Sequence, residues 1–230
     1  MDDTLYGASR GMFDEIHEHM LHYVMDYLHL DAIKADALRI RYWKDYGVTY
    51  YGLWLHHGID PHHFLKVTHD VDMSIIKAQP QLTKVLQRLP GKKALFTNGP
   101  KNFADQILKR LTIGACFDRR FCAEQMRVNS RWHPKPSAVM LRNVLAQLKV
   151  PASEVCLVDD NPRNLKAAKD VGIQTVLFQG WHRQEKSRLP QREWIDASVS
   201  SLTQLEQILR KSPQNSSPRM PAPCFLNPFA

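Results

Sequence analysis

Residues 155–178, VCLVDDNPRNLKAAKDVGIQTVLF, decide the fold. Val155-Cys156-Leu157-Val158 is an apolar run that stops at Asp159-Asp160. Residues 164–171 have helical spacing up to Gly172, and residues 174–178 form a second run, β-branched at Thr175 and Val176. Two strands joined by a short helix make a right-handed crossover unit, and such units build a parallel sheet. Working upstream, Ala94-Leu95-Phe96 halts in the same way at Thr97-Asn98-Gly99. Amphipathic helices follow at residues 103–111 and 139–148, the second ended near Pro151. Downstream, residues 194–209 add a short strand and a helix whose buried face is Leu202, Leu205 and Leu209. Two strands therefore end abruptly in polar residues, and open parallel sheets bind ligands at that carboxyl edge.

The first third of the chain has another texture. Over residues 12–30, apolar side chains recur at Phe13, Ile16, Met20, Val24 and Tyr27, every three to four positions. Residues 32–43 continue in that style, and residues 61–76 carry a further helical pattern opened by Pro61. Residues 8–80 thus read as an all-helical block. At the other end, SPQNSSPRMPAPCFLNPFA (residues 212–230) is rich in Pro and Ser without periodicity and reads as a disordered tail.

Composition bounds the function. The 230 residues are 43% hydrophobic and 23% charged, which is globular composition and excludes wholesale disorder. No apolar run approaches a membrane span, and the acidic, polar start MDDTLYGASR is no secretory signal. Cys116, Cys122, Cys156 and Cys224 form no CxxC pair, which suits reduced thiols and a cytoplasmic location. The net charge of +8 is uneven: between Lys84 and Lys149, fourteen Lys/Arg face only Asp105, Asp118 and Glu124. That middle stretch favours an anion, either nucleic acid or a phosphate-bearing small molecule. Nucleic-acid binding would want exposed aromatics among the Lys/Arg, whereas Phe103, Phe117 and Phe121 fall where packing is expected, so no nucleic-acid partner is expected. The eleven histidines include His19 and His22 on one helical face, but no Cys or carboxylate set completes a tetrahedral zinc site around them. The sequence carries no signal of oligomeric state.

Four separated clusters carry chemistry: Asp2-Asp3-Thr4, Thr97-Asn98, Lys135-Pro136, and Asp159-Asp160 with Asn164. Singly, each has an ordinary reading as a cap, a turn or a surface residue. Together they supply what a phosphate site needs. Hydroxyl and backbone donors hold phosphoryl oxygens, a cation neutralises them, carboxylates hold Mg2+, and an acid serves the leaving oxygen.

In this combination and order the sequence resembles the haloacid dehalogenase-like hydrolase superfamily. Its members carry a strand ending in Asp-x-Asp-x-Thr, a strand ending in Thr or Ser, a Lys, and a strand ending in an acidic pair. The resemblance implies a Rossmann-like parallel α/β core over residues 1–7 and 81–211, with residues 8–80 as an inserted all-helical cap. Residues 44–53, KDYGVTYYGL, look like the YGTTLxGL stretch of pyrimidine 5'-nucleotidases. Gly58-Ile59-Asp60, Phe64, Thr68-His69-Asp70 and Leu95-Phe96-Thr97-Asn98 follow as in that group. The resemblance implies a Mg2+-dependent phosphatase working through an aspartyl-phosphate on a small phosphorylated metabolite, a mononucleotide. Phosphoglycolate or a sugar phosphate is the alternative. Asp2 would protonate the leaving group and bind Mg2+ through its carbonyl. Thr97 and the Asn98 backbone would hold phosphate oxygens, Lys135 would offset charge, and Asp159 and Asp160 would anchor Mg2+.

In the family motif the nucleophile lies two positions before the second Asp, which here is the position before Met1. Asp3 is not expected to replace it, because strand side chains alternate in direction. Two readings account for the gap: a start assigned at an internal Met, or a degenerate relative that binds phosphate without turnover. Either way the strand leading into the motif is missing from the centre of the sheet, and both of its neighbours are expected to lose hydrogen bonds. These 230 residues as they stand are expected to show no phosphatase turnover.

Overall fold

The computed structural model describes residues 1–7, 11–180, 192–211 and 224–226. Helices α1 (Met12–Leu28), α2 (Ala32–Tyr46), α3 (Thr49–His57) and α4 (Pro61–Thr68) come first. Next are α5 (Pro80–Arg88), β1 (Lys93–Phe96), α6 (Lys101–Arg110), β2 (Arg119–Phe121), β3 (Arg127–Val128), β4 (Arg131–Trp132) and α7 (Ala138–Leu148). The chain closes with β5 (Cys156–Asp159), α8 (Pro162–Lys169), β6 (Gln174–Phe178), β7 (Ala197–Val199), α9 (Leu202–Lys211) and β8 (Cys224–Leu226).

A six-stranded parallel sheet, in the order β2-β1-β8-β5-β6-β7, organises the core. Period-two alternation sorts its side chains. Ala94, Phe96, Leu157 and Leu177 face a layer containing Met140 and Val144 of α7 and Leu165 of α8. Leu95, Val158, Val176 and Phe178 face Leu86 of α5, Phe103 and Ile107 of α6, and Leu205 of α9. Both faces are covered, which is why these strands read as unbroken apolar runs rather than alternating ones. The fold is therefore the expected α/β one with a parallel sheet.

Helices α1 to α4 build a second core from Tyr23, Val24, Tyr42, Leu53 and Phe64, closed by Ala123 and by Trp132 of the β3–β4 hairpin. Local signals set their ends. Asp31 caps α2 by accepting from the Lys34 N–H, and Gly47 ends it at φ 83°. Asp60 caps α4, with Pro61 in its first turn. The helix expected over 61–76 is shorter: α4 stops at Thr68, and Asp72 starts a separate turn by accepting from the Ser74 N–H. Three histidines of this block serve tyrosine hydroxyls, in the pairs Tyr42–His57, Tyr46–His56 and Tyr23–His63. Among the described residues no helix is long and apolar enough to cross a membrane.

Two expectations need correction. The stretch 212–230 is not tail throughout, because residues 224–226 form β8; the rest of it lies outside the described residues. The strands flanking the centre of the sheet are also not left unpaired there. Cys224 lies opposite Lys93 and Cys156, Phe225 opposite Ala94 and Leu157, and Leu226 opposite Leu95 and Val158. Every residue but proline carries the same backbone donor and acceptor, so an extended segment free of proline can satisfy the two neighbours. The signal for β8 in the sequence is only the apolar triplet between prolines.

Candidate active site

The carboxyl ends of β1 and β5 place the predicted residues together. Thr97 follows β1 directly and is fully buried; its N–H donates to the Phe121 carbonyl at 2.8 Å. Its Oγ1 accepts from the Gly99 N–H at 2.9 Å, which leaves the hydroxyl proton to donate outward. Asn98 has a part that sequence reasoning missed. Its side chain clasps the backbone of Lys135: Oδ1 accepts from the Lys135 N–H at 2.8 Å, and Nδ2 donates to the Lys135 carbonyl at 3.1 Å. A short polar side chain thereby fixes a lysine 37 residues away.

Lys135 is 2% exposed. Its Nζ donates to the Phe96 carbonyl at 3.2 Å and lies 3.9 Å from Asp159 Oδ2. Burial lowers its pKa to about 8, against the raising influence of Asp159, Asp160 and Asp2. Asp159 Oδ1 accepts from the Asn161 N–H at 2.8 Å and from Asn164 Nδ2 at 3.2 Å. Asp160 Oδ1 accepts from Thr4 Oγ1 at 3.4 Å. Burial raises the pKa of both aspartates.

Asp2 is fully buried, accepts from the Tyr6 hydroxyl, and has its pKa pushed up to about 7 by burial. Residues 3–5 form a turn between bridged Asp2 and Tyr6, not a strand. The alternation argument about Asp3 therefore does not apply. Asp3 sits at φ 43°, is 4% exposed, and borders a cavity that also touches Asn98. No periodic pattern signals this, because the turn is closed by contacts four residues apart, Leu5 N–H to the Met1 carbonyl and the Tyr6 hydroxyl to Asp2.

The helical block presses on the site at Gly47. A Cβ added there would lie 2.8 Å from the Lys135 carbonyl oxygen and 2.7 Å from Pro136 Cδ. Gly47 also has φ 83°, so Gly47→Ala adds left-handed strain to a backbone clash. We expect that variant to lose roughly 1–3 kcal/mol, read as a lower denaturant midpoint at unchanged slope. An unchanged midpoint would show that the two parts do not touch there in solution.

Three buried carboxylate oxygens, Asp2 Oδ2, Asp159 Oδ2 and Asp160 Oδ2, have no hydrogen-bond partner among the described residues. Orphaned anionic oxygens fit a hard divalent cation. Among the described residues no three His, Cys, Asp or Glu side chains form a ready cage. That suits Mg2+, which usually takes one or two carboxylates and fills its shell with water and substrate phosphate. Mg2+ is therefore expected to raise the thermal midpoint, by about 2.7 kcal/mol of stability at a hundred times its dissociation constant. Protons compete for the Asp159 and Asp160 oxygens, and burial holds the proton of Asp159 to about pH 7. The stabilisation should grow as pH rises through that value. Asp160→Asn should remove it; a cation response independent of both pH and Asp160 would place the ion elsewhere.

Comparison with known proteins agrees with this fold. A haloacid dehalogenase-like hydrolase family model matches residues 1–172. Phosphate metabolism protein 8 of Saccharomyces cerevisiae is 25% identical over 191 residues, covering 77% of this chain. This chain spans 59% of that relative's length. A 2-haloacid dehalogenase from Pseudomonas syringae pv. Tomato DC3000 shares the fold at a TM-score of 0.56 and 18% identity, over 92% of this chain and 96% of that one. An HAD phosphatase from Thermococcus onnurineus does so at 0.55 and 18%, over 86% and 89%. With its family model matched over residues 1–172, the chain belongs to the haloacid dehalogenase-like hydrolases.

Proposed function

We propose that these residues form the site of a Mg2+-dependent phosphatase acting on nucleoside 5'-monophosphates, of the pyrimidine 5'-nucleotidase kind. The observation that carries this is the meeting of Thr97, Lys135, Asp2, Asp159 and Asp160, all buried or nearly so, at one sheet edge. The Thr97 hydroxyl and the Asn98 N–H hold phosphate oxygens. Lys135, fixed by the Asn98 clasp, places its ammonium against the negative charge that builds during transfer. Asp2, protonated near neutrality, gives its proton to the departing alkoxide and then accepts one from the attacking water. Asp159, Asp160 and the Asp2 carbonyl would hold Mg2+, which when bound neutralises phosphate charge.

An acid at Asp2 favours phosphate esters over halides, because a departing halide needs no proton. The attacking carboxylate of the two-step mechanism belongs two positions before Asp2, outside these 230 residues. The relative's name, phosphate metabolism protein 8, supports phosphate chemistry. A sugar phosphate or phosphoglycolate would fill less of the apolar cavity beside Asp3 and Asn98 than a nucleoside does.

The test is calorimetric titration with inorganic phosphate and uridine 5'-monophosphate in Mg2+, beside an assay of phosphate release. Binding of both without release is the expected result. Release by these 230 residues alone would overturn the assignment of roles, and absence of binding would overturn the site. Retention on DNA that falls with salt, without phosphate binding, would instead favour a nucleic-acid module.

A further inference from the structure

The cavity beside Asp3 and Asn98 holds about 440 Å³ and runs beneath helices α1, α2 and α4. A volume in the range of roughly 300–1,000 Å³ suits a small organic ligand. Its polarity changes along its length. Asp3 and Asn98 mark the catalytic end; Trp43, Tyr50 and Phe64 supply aromatic walls; Arg39, on α2, brings a guanidinium. The Arg39 side chain is only 15% exposed. Nε and Nη2 both donate to the single oxygen Asp36 Oδ1, at 3.0 and 2.7 Å. No acceptor for Nη1 is found among the described residues, and Arg39 is one of the few charged residues lining this mostly apolar space. Asp36 is half exposed and serves to orient the fork.

We infer that Arg39 is a specificity-determining residue that reads a carbonyl or other acceptor on a flat ring held between the aromatic walls of this cavity. The inference rests on the phosphatase reading and adds the chemistry of the leaving group. A guanidinium in low-dielectric surroundings with unfilled N–H groups rejects a ligand that cannot supply the acceptor, because desolvating the fork then goes uncompensated. The aromatic walls accept any planar ring, so they provide affinity with little discrimination. Arg39 supplies discrimination that the walls lack. Ribose 5-phosphate, which has the phosphate and sugar but no base, reaches neither the aromatic walls nor the fork.

The experiment is calorimetric titration of the full chain with uridine 5'-monophosphate, ribose 5-phosphate and inorganic phosphate, each with Mg2+. The wild type should prefer uridine monophosphate to ribose 5-phosphate by about tenfold or more. Arg39→Gln should lose most of that preference while inorganic phosphate binds within twofold of wild type, and Arg39→Lys, lacking the fork, should recover only part of it. Trp43 is 41% exposed, so Trp43→Ala gives a second variant that should fold and should weaken uridine monophosphate alone. If inorganic phosphate binds but the wild type shows no preference, or if Arg39→Gln weakens all three equally, this inference falls and the phosphatase reading stands. A wild type that binds none of the three overturns both.

Discussion

Cutting the chain after residue 211 is expected to abolish cooperative folding. The removed stretch includes β8, which lies between β1 and β5 and pairs with both. Without it, backbone groups at Lys93 to Leu95 and at Cys156 to Val158 lose their partners in the middle of the sheet. Buried, unsatisfied groups cost roughly 1–3 kcal/mol each, and several of them together match the whole stability of a domain, about 5–15 kcal/mol. Circular dichroism through a denaturant titration reads the outcome. A second variant, Phe225→Pro, keeps the length and removes one N–H from a central strand, where proline is not tolerated. It should fall well below the wild-type midpoint. Equal midpoints for wild type, truncation and Phe225→Pro would show that β8 does not hold the centre of the sheet.

The second large effect is at Lys135. Its ammonium is the cation nearest Asp159 Oδ2, at 3.9 Å, and side chains of both are almost wholly buried. Replacing it with methionine keeps the volume and leaves three carboxyl groups facing one another. Removing one member of a buried ion pair costs roughly 3–5 kcal/mol. Part of that loss is relieved here, because the aspartates respond by holding protons to higher pH. Binding of inorganic phosphate has no such relief, so Lys135→Met should bring it below detection in calorimetry while far-ultraviolet dichroism still reports a folded chain. Lys135→Arg should not restore it, since the planar fork cannot occupy the same space between Phe96 and Asp159. Phosphate affinity within threefold of wild type in Lys135→Met would remove this residue from the site.

The parts of this account that the sequence makes legible are those with local causes. The run ending at Asp159-Asp160 and the run ending at Thr97 announce both strands and the residues at their tips, because a strand buried on both faces must be apolar until it emerges. Lys135 has no such signature. Its place depends on the Asn98 clasp, a contact across 37 residues that no periodicity encodes. The backbone direction at Asp3 is illegible for a related reason: a strand's alternation does not describe residues that fold as a turn. Strand β8 was hidden because three apolar residues among prolines look the same whether they lie in a tail or in a sheet. The short pairs β3 and β4 escaped notice as well, being only two residues each and exposed in part.

On the proposal made here, Asp2, Thr97, Lys135 and Asp160 form a phosphoester site whose attacking carboxylate belongs two positions before Asp2. The most direct test is phosphate release from uridine 5'-monophosphate in Mg2+ by two chains. One is the 230-residue chain, and the other carries an added apolar strand ending in Asp immediately before Met1, which would take over from β8 the place between β1 and β5. The account predicts no release by the first, and release by the second that disappears in Asp2→Asn. Release by the first chain, or a folded second chain that releases none, would contradict it.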